Sequence, residues 1–179
     1  MKKKIIILGS TGSIGLTTLN IINKKKQFEI FLLSAKNNYR LISKQIIKYK
    51  PKYFVITNPL VYKKINQKFK NKKTKILNSY DKIFLNGKAD IAVSAIPGIA
   101  GLFPTLSILR FTKKILLANK ESVICGWELI KQKSKKYKVK IIPIDSEHYS
   151  ILKLMENYKM DQIEKIYLTA SGGPFLNYK

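Results

Sequence analysis

The chain has 179 residues, 45% hydrophobic and 25% charged, enough apolar material for one packed domain and the start of a second. No apolar run approaches the roughly 18 residues needed to cross a bilayer, and the run after Met1-Lys2-Lys3-Lys4 stops at Gly9, short of a signal-peptide core. A cytoplasmic protein is therefore expected. With Cys125 as the sole cysteine, an intrachain disulfide and a thiolate zinc cage are excluded. Thirty-five basic and ten acidic residues give a net charge of +25, which raises nucleic-acid binding as an alternative. Arg40 and Arg110 are the only arginines, however, and the lysines run from Lys2 to Lys179 instead of forming one patch. Base readout favours arginine forks and phosphate binding favours a localised patch, so no nucleic-acid partner is expected.

In chain order, strands are predicted over residues 4–8, 29–34, 52–57, 75–78, 90–95, 114–118 and 138–143. Several are unalternated apolar runs, such as Ile5-Ile6-Ile7-Leu8 and Ile115-Leu116-Leu117, as strands buried on both faces should be. Helical patterns lie between them. Ile14, Thr18, Ile21 and Ile22 share one face, as do Leu102, Leu106 and Leu109, and later Val123, Trp127 and Ile130. A helix over 148–158, a strand over 163–170 and the loop Ser171-Gly172-Gly173-Pro174-Phe175 complete the prediction. The alternation specifies an α/β fold: a Rossmann-like, doubly wound, mostly parallel sheet with helices on both faces, followed by the start of an α+β domain.

Four segments carry chemistry. Gly9-Ser10-Thr11-Gly12-Ser13-Ile14-Gly15 follows the first strand and opens the first helix. There, missing Cβ atoms let backbone approach a pyrophosphate, and the helix N-terminus offers N–H groups and partial positive charge. The alternative is a tight turn in which Thr11 or Ser13 caps the helix. The second strand ends in Ser34-Ala35-Lys36-Asn37-Asn38, with no acidic residue for a ribose diol. A carboxylate there would repel a 2′-phosphate and a lysine would attract one, so the expected cofactor is NADPH. Ala118-Asn119-Lys120-Glu121-Ser122 stands at the C-terminal edge of a buried strand. Asn119 and Glu121 are candidates for the nicotinamide half, and Lys120 for an anionic or carbonyl group of a substrate; Glu121 and Ser122 are also ordinary first-turn residues. In Pro143-Ile144-Asp145-Ser146-Glu147-His148, two carboxylates two residues apart in extended backbone point the same way and suit one Mg²⁺ or Mn²⁺ ion. A capped helix start is the competing reading.

In this order and spacing, the Gly9–Gly15, Leu117–Ser122, Asp145–His148 and Ser171–Phe175 blocks resemble the 1-deoxy-D-xylulose 5-phosphate reductoisomerase family. The resemblance implies that Thr11, Gly12, Ser13 and Ile14 hold the NADPH phosphates, with Lys36, Asn37, Asn119 and Glu121 completing the cofactor site. It implies Lys120, Ser146, Glu147 and Ser171 as catalytic and substrate contacts, and Asp145 and Glu147 as ligands of the divalent metal. The reaction implied is a metal-assisted rearrangement followed by hydride transfer, converting 1-deoxy-D-xylulose 5-phosphate to 2-C-methyl-D-erythritol 4-phosphate in non-mevalonate isoprenoid synthesis, by a homodimeric enzyme.

The resemblance divides the chain into an NADPH-binding domain, 1–143, and the beginning of a catalytic domain, 144–179. Ala35 departs from the family's usual glycine, and Tyr149-Ser150 from its small or amide residues. The family continues past the Ser171 loop with a lid, further phosphate contacts and a third metal carboxylate. The 179 residues alone are accordingly expected to bind cofactor without turnover. A semialdehyde or homoserine dehydrogenase is the rival enzyme class; the former needs Cys125 as nucleophile, whereas Cys125 is expected to be buried and structural.

Overall fold

A computed structural model describes residues 2–83 and 87–168. Seven strands, β1 (Lys3–Leu8), β2 (Phe28–Ala35), β3 (Tyr53–Ile56), β4 (Lys75–Leu77), β5 (Ile91–Ser94), β6 (Lys114–Leu117) and β7 (Lys140–Pro143), form one sheet ordered β4-β3-β2-β1-β5-β6-β7. Every pairing is parallel. Strand order reverses between β1 and β5, and a crevice opens at such a switch point, beyond the carboxyl ends of the strands.

The helices are α1 (Ser13–Asn23), α2 (Tyr39–Tyr49), α3 (Pro59–Lys68), α4 (Leu102–Ile108), α5 (Lys120–Tyr137) and α6 (Ser146–Met155). Among the described residues, no helix is long and apolar enough to cross a membrane. Two apolar cores cover the two faces of the sheet. Ile5 and Ile7 of β1 pack with Leu19 and Ile22 of α1, Ile42 and Ile46 of α2 and Ile65 of α3. Ile6 and Leu8 pack with Ile108 of α4 and Ile130 of α5. This is the Rossmann-like α/β architecture that the uninterrupted apolar runs require.

A register shift between Ile5 and Ile6 pairs Ile5 with Ile30 and Ile6 with Leu32. Its consequence is that consecutive Phe31 and Leu32 both join the core on the α4/α5 side, which strict alternation forbids.

Two expectations about helix faces need correction. On α1 the buried stripe is Gly15, Leu19 and Ile22, while Ile14 and Ile21 are exposed. The helix is rotated because Gly15 abuts the Gly9–Ser10 backbone. On α5 the buried stripe is Ser122, Gly126, Ile130 and Ser134, so Trp127 is exposed. Gly126 leaves helical geometry at φ −138° and ψ 22°, and a Cβ there would meet Leu102 of α4 at 2.5 Å. Cys125, outside this stripe, is exposed and not buried. Helix α6 starts two residues earlier than predicted, because Asp145 caps it, and ends at Met155. Residues 163–168 form no strand, and 169–170 lie outside the described residues.

Candidate functional site at the carboxyl edge of the sheet

The glycine-rich turn leaves β1 at Gly9, whose φ of +77° favours glycine, and a Cβ there would lie 2.7 Å from the Ala95 carbonyl oxygen. Gly12 N–H donates to Gly9 O at 3.0 Å and closes the turn. Two bonds tie it to β2: Ser10 N–H to Ser34 O at 2.8 Å, and Gly9 N–H to Ser34 Oγ at 3.2 Å. Helix α1 then begins with Gly12 at its N-cap and no side chain accepting its first N–H groups. Neither Thr11 nor Ser13 caps it. Uncapped N–H groups concentrate the positive end of the helix dipole at the mouth of the turn.

Two clefts flank this mouth. One of about 430 Å³ is lined by Gly9, Thr11 and Gly12 of the turn, by Ala35 and Lys36 after β2, and by Tyr80 with Pro97, Ala100 and Pro104. The second, of about 540 Å³, is lined by Gly12, Ser13 and Ile14, by Asn119, Lys120 and Glu121, and by Asp145, Ser146 and Glu147. They share Gly12, Ala95, Ile96 and Pro97 and make one trough along the switch point. The four segments singled out in the sequence, at 9–15, 34–38, 118–122 and 143–148, thus reach one place. Asn37 does not line the trough, and its amide oxygen accepts from Asn58 Nδ2 at 2.9 Å. Ser171 lies outside the described residues.

Two of the candidate side chains are engaged as helix caps. Asn119 is 3% exposed: its Oδ1 accepts from Ser122 N–H at 2.8 Å, capping α5, and its Nδ2 donates to Ile96 O and to Gly98 O. The carboxamide holds the 96–98 loop against α5, and Asn119 still lines the trough. Asp145 keeps the extended backbone the sequence suggested, at φ −70° and ψ 156°, but Glu147 does not, because it lies in the first turn of α6. Asp145 is the N-cap of α6, its Oδ1 accepting from His148 N–H at 3.0 Å and meeting His148 Nδ1 at 2.6 Å. Cap and first helical turn still face one cleft, so the two carboxylates share it.

Glu147 accepts from Ser146 Oγ at 2.8 Å and pairs with Lys120 Nζ at 3.4 Å. Its own backbone N–H, then the Ser146 hydroxyl and the Lys120 ammonium, hold its carboxyl below the usual range. Among the described residues, no cluster of three or more His, Cys, Asp and Glu side chains forms, so Asp145 and Glu147 offer two ligands of a cation site.

Sequence reasoning missed Tyr80, Ser34 and Gln45. Tyr80 lines the trough, is 4% exposed and hydrogen-bonds with the Ser34 side chain; burial pushes its hydroxyl up to about 12. No local pattern marks it. Gln45 did carry a signal, a polar residue on the buried face between Ile42 and Ile46 of α2.

The family model for 1-deoxy-D-xylulose 5-phosphate reductoisomerase matches residues 5–126, and the model for that enzyme's C-terminal domain matches residues 141–179. A relative of that name from Pelagibacter ubique is 49% identical over 98% of this chain and 46% of its own length. The chain spans about half the length of the curated relatives it matches. A crystal structure of DOX-P reductoisomerase in complex with magnesium superimposes on the whole chain, and on 48% of its own, with a TM-score of 0.86 at 32% identity. The enzyme from Zymomonas mobilis in complex with NADPH matches 83% of this chain and 40% of its own, with a TM-score of 0.74 at 29% identity. Fold, motif order and family models agree: the chain belongs to the 1-deoxy-D-xylulose 5-phosphate reductoisomerase family.

Proposed function

We propose that residues 1–143 bind NADPH for the reduction step of 1-deoxy-D-xylulose 5-phosphate reductoisomerase, and that residues 144–179 begin the domain that binds metal and substrate. The observation that carries this reading is the trough itself, which joins the glycine turn and the uncapped α1 N-terminus to Lys36 at one end and to Lys120, Asp145 and Glu147 at the other. The roughly 970 Å³ of the two clefts suits a ligand of dinucleotide size.

The pyrophosphate would rest over Gly12 on the N–H groups of Thr11, Ser13 and Ile14, the Gly12 N–H being committed to Gly9 O. Lys36, exposed at the end of β2, would face the 2′-phosphate, with Asn37 and the Asn58 amide beside it. Ala95, Pro97, Ala100 and Pro104 give the adenosine end an apolar wall. The nicotinamide half would lie toward the Asn119 backbone and Glu121. NADPH supplies a hydride when bound, and a divalent cation supplies Lewis-acid polarisation of substrate oxygens. Asp145 and Glu147 are carboxyl oxygen donors, the ligand type that Mg²⁺ and Mn²⁺ prefer, and would hold the cation together with further groups. Ser146 Oγ orients Glu147 through its 2.8 Å bond, and Ser146 and Ser171 would contact the substrate. Lys120 Nζ stands in the same cleft, where its charge can meet the phosphorylated substrate or the oxyanion developing from its carbonyl.

Fluorescence titration of the purified chain with NADPH and NADH tests the reading. NADPH is expected to bind and NADH to bind more weakly. No NADPH binding, together with salt-sensitive binding to duplex DNA, would reject it in favour of a nucleic-acid function.

A further inference from the structure

We propose that Gln45 is a positioning residue for dinucleotide binding, which aims the Thr11 N–H at the bound phosphate by fixing the Ser10 carbonyl; this rests on the NADPH reading above. Gln45 lies on α2, 35 residues from the turn, and is 3% exposed. Its Nε2 donates to Ser10 O at 2.8 Å, and its Oε1 accepts from Ser10 Oγ at 2.7 Å. The carbonyl oxygen can only accept, which fixes the orientation of the amide. With Ser10 N–H bonded to Ser34 O, every polar group of the fully buried Ser10 has a partner in the fold.

The consequence falls on the next residue. In a trans peptide the carbonyl of one residue and the N–H of the next point in opposite directions. Drawing Ser10 O toward α2 therefore turns the Thr11 N–H away from α2. Among the described residues this N–H has no acceptor, and Thr11 lines the trough. It follows Gly9 and precedes the uncapped start of α1, so it joins the first N–H groups of the helix in a single donor array. Without Gln45, rotation of the Ser10–Thr11 peptide plane would remove one donor from the array and point a carbonyl oxygen toward an anion.

The test is a titration of wild type, Gln45→Leu and Ser10→Ala with two ligands. NADPH carries the pyrophosphate; adenosine 2′-monophosphate carries only the end that Lys36 would meet. Gln45→Leu is expected to weaken NADPH by about tenfold and adenosine 2′-monophosphate by less than about twofold, the loss of one charge-assisted hydrogen bond. A general loosening of the fold would weaken both ligands alike, and that result overturns the proposal. Ser10→Ala keeps the amide-to-carbonyl bond and is expected to hold NADPH within about threefold of wild type. A tenfold loss there would transfer the role to the hydroxyl and also overturn it, so the proposal remains testable if Gln45→Leu fails to fold. Wild-type chain that does not bind NADPH overturns the functional reading and this inference with it. Wild-type binding matched by Gln45→Leu overturns the inference alone.

Discussion

Gly15→Ala places the fold and the site under one test. In an ordinary helix this substitution stabilises by about 1 kcal/mol, because alanine has the better helix propensity. Here a Cβ would overlap the Gly9 carbonyl oxygen and lie 2.7 Å from Ser10 Cα and 2.9 Å from Ser10 C. All three are backbone atoms of the turn, so no flexible side chain can move aside. Relief requires the turn to shift by several tenths of an ångström, straining the 3.0 Å bond from Gly12 N–H to Gly9 O and the two bonds to Ser34. Overpacking of this kind costs about 1–3 kcal/mol, and a lost hydrogen bond about 1 kcal/mol more. Set against the propensity gain, the net expectation is a loss of about 1–3 kcal/mol, or a fall in Tm of roughly 3–9 °C for a chain of this size. Gly12→Ala is the paired control. Its Cβ would meet only Gly9 O, at an ordinary 3.5 Å, so the cost should be no more than the about 0.5–1 kcal/mol of alanine's weaker N-capping. That methyl would nevertheless stand at the mouth of α1, where both clefts meet, and NADPH should bind about tenfold more weakly. Urea melts followed by circular dichroism, with NADPH titrations on the same samples, separate the two effects. A Gly15→Ala chain as stable as wild type, or more stable, would refute the close approach of turn and helix.

Lys36→Ala should weaken NADPH about tenfold and leave NADH unchanged, the signature of a lost charge-assisted contact to the 2′-phosphate; equal losses for both cofactors would remove Lys36 from that role. Tyr80 predicts a sensitivity to alkali: its hydroxyl ionises at 10 when exposed and at about 12 in the fold. Between those values the unfolded chain gives up a proton that the folded chain keeps, so stability falls as pH rises, by roughly 2–3 kcal/mol in all. Urea melts at pH 9 and pH 11 should show a smaller drop for Tyr80→Phe than for wild type, and parallel drops would show that the hydroxyl is not buried as described.

The sheet was legible because strands buried on both faces must be apolar throughout, and Ile5-Ile6-Ile7-Leu8 admits few other readings. Strand ends fell within two residues of those predicted. The helix faces were less legible for a tertiary reason. On α1, Ile14 and Ile21 suggest one stripe and Leu19 with Ile22 another, and the choice is made by Gly15, the residue small enough to abut the turn. On α5 the non-helical Gly126 admits Leu102, which rotates Trp127 and Cys125 outward. Periodicity counts apolar residues and is blind to a helix that packs through its small ones. The exposed Cys125 loses the burial that argued against a reactive thiol, but among the described residues it lines neither cleft of the trough. Tyr80 left no local trace because its partner, Ser34, comes from a strand on the far side of two crossovers.

Ala118–Ser122 and Pro143–His148 read from sequence as either a helix start or a site, and the structure shows why those readings coincide. A helix that follows a parallel strand starts at the carboxyl edge of the sheet, where ligands bind, and its first N–H groups need acceptors. Asn119 and Asp145 supply the acceptor and so stand in the trough for the same reason that they cap. Of the five helices of ten residues or more among the described residues, α2, α3, α5 and α6 are capped by Asn38, Asn58, Asn119 and Asp145. Only α1 opens on a glycine with no side-chain acceptor. Its N–H groups face the trough unpaired, and an anion is the partner that both their geometry and the helix dipole favour. A cap introduced there should compete with that anion, whereas a cap removed elsewhere should cost only stability. Gly12→Asp therefore ought to abolish NADPH binding while leaving the melt no lower than wild type, since aspartate exceeds glycine as an N-cap by a few tenths of a kcal/mol. If NADPH still bound with full affinity to that variant, the α1 N-terminus would not be where its phosphates sit.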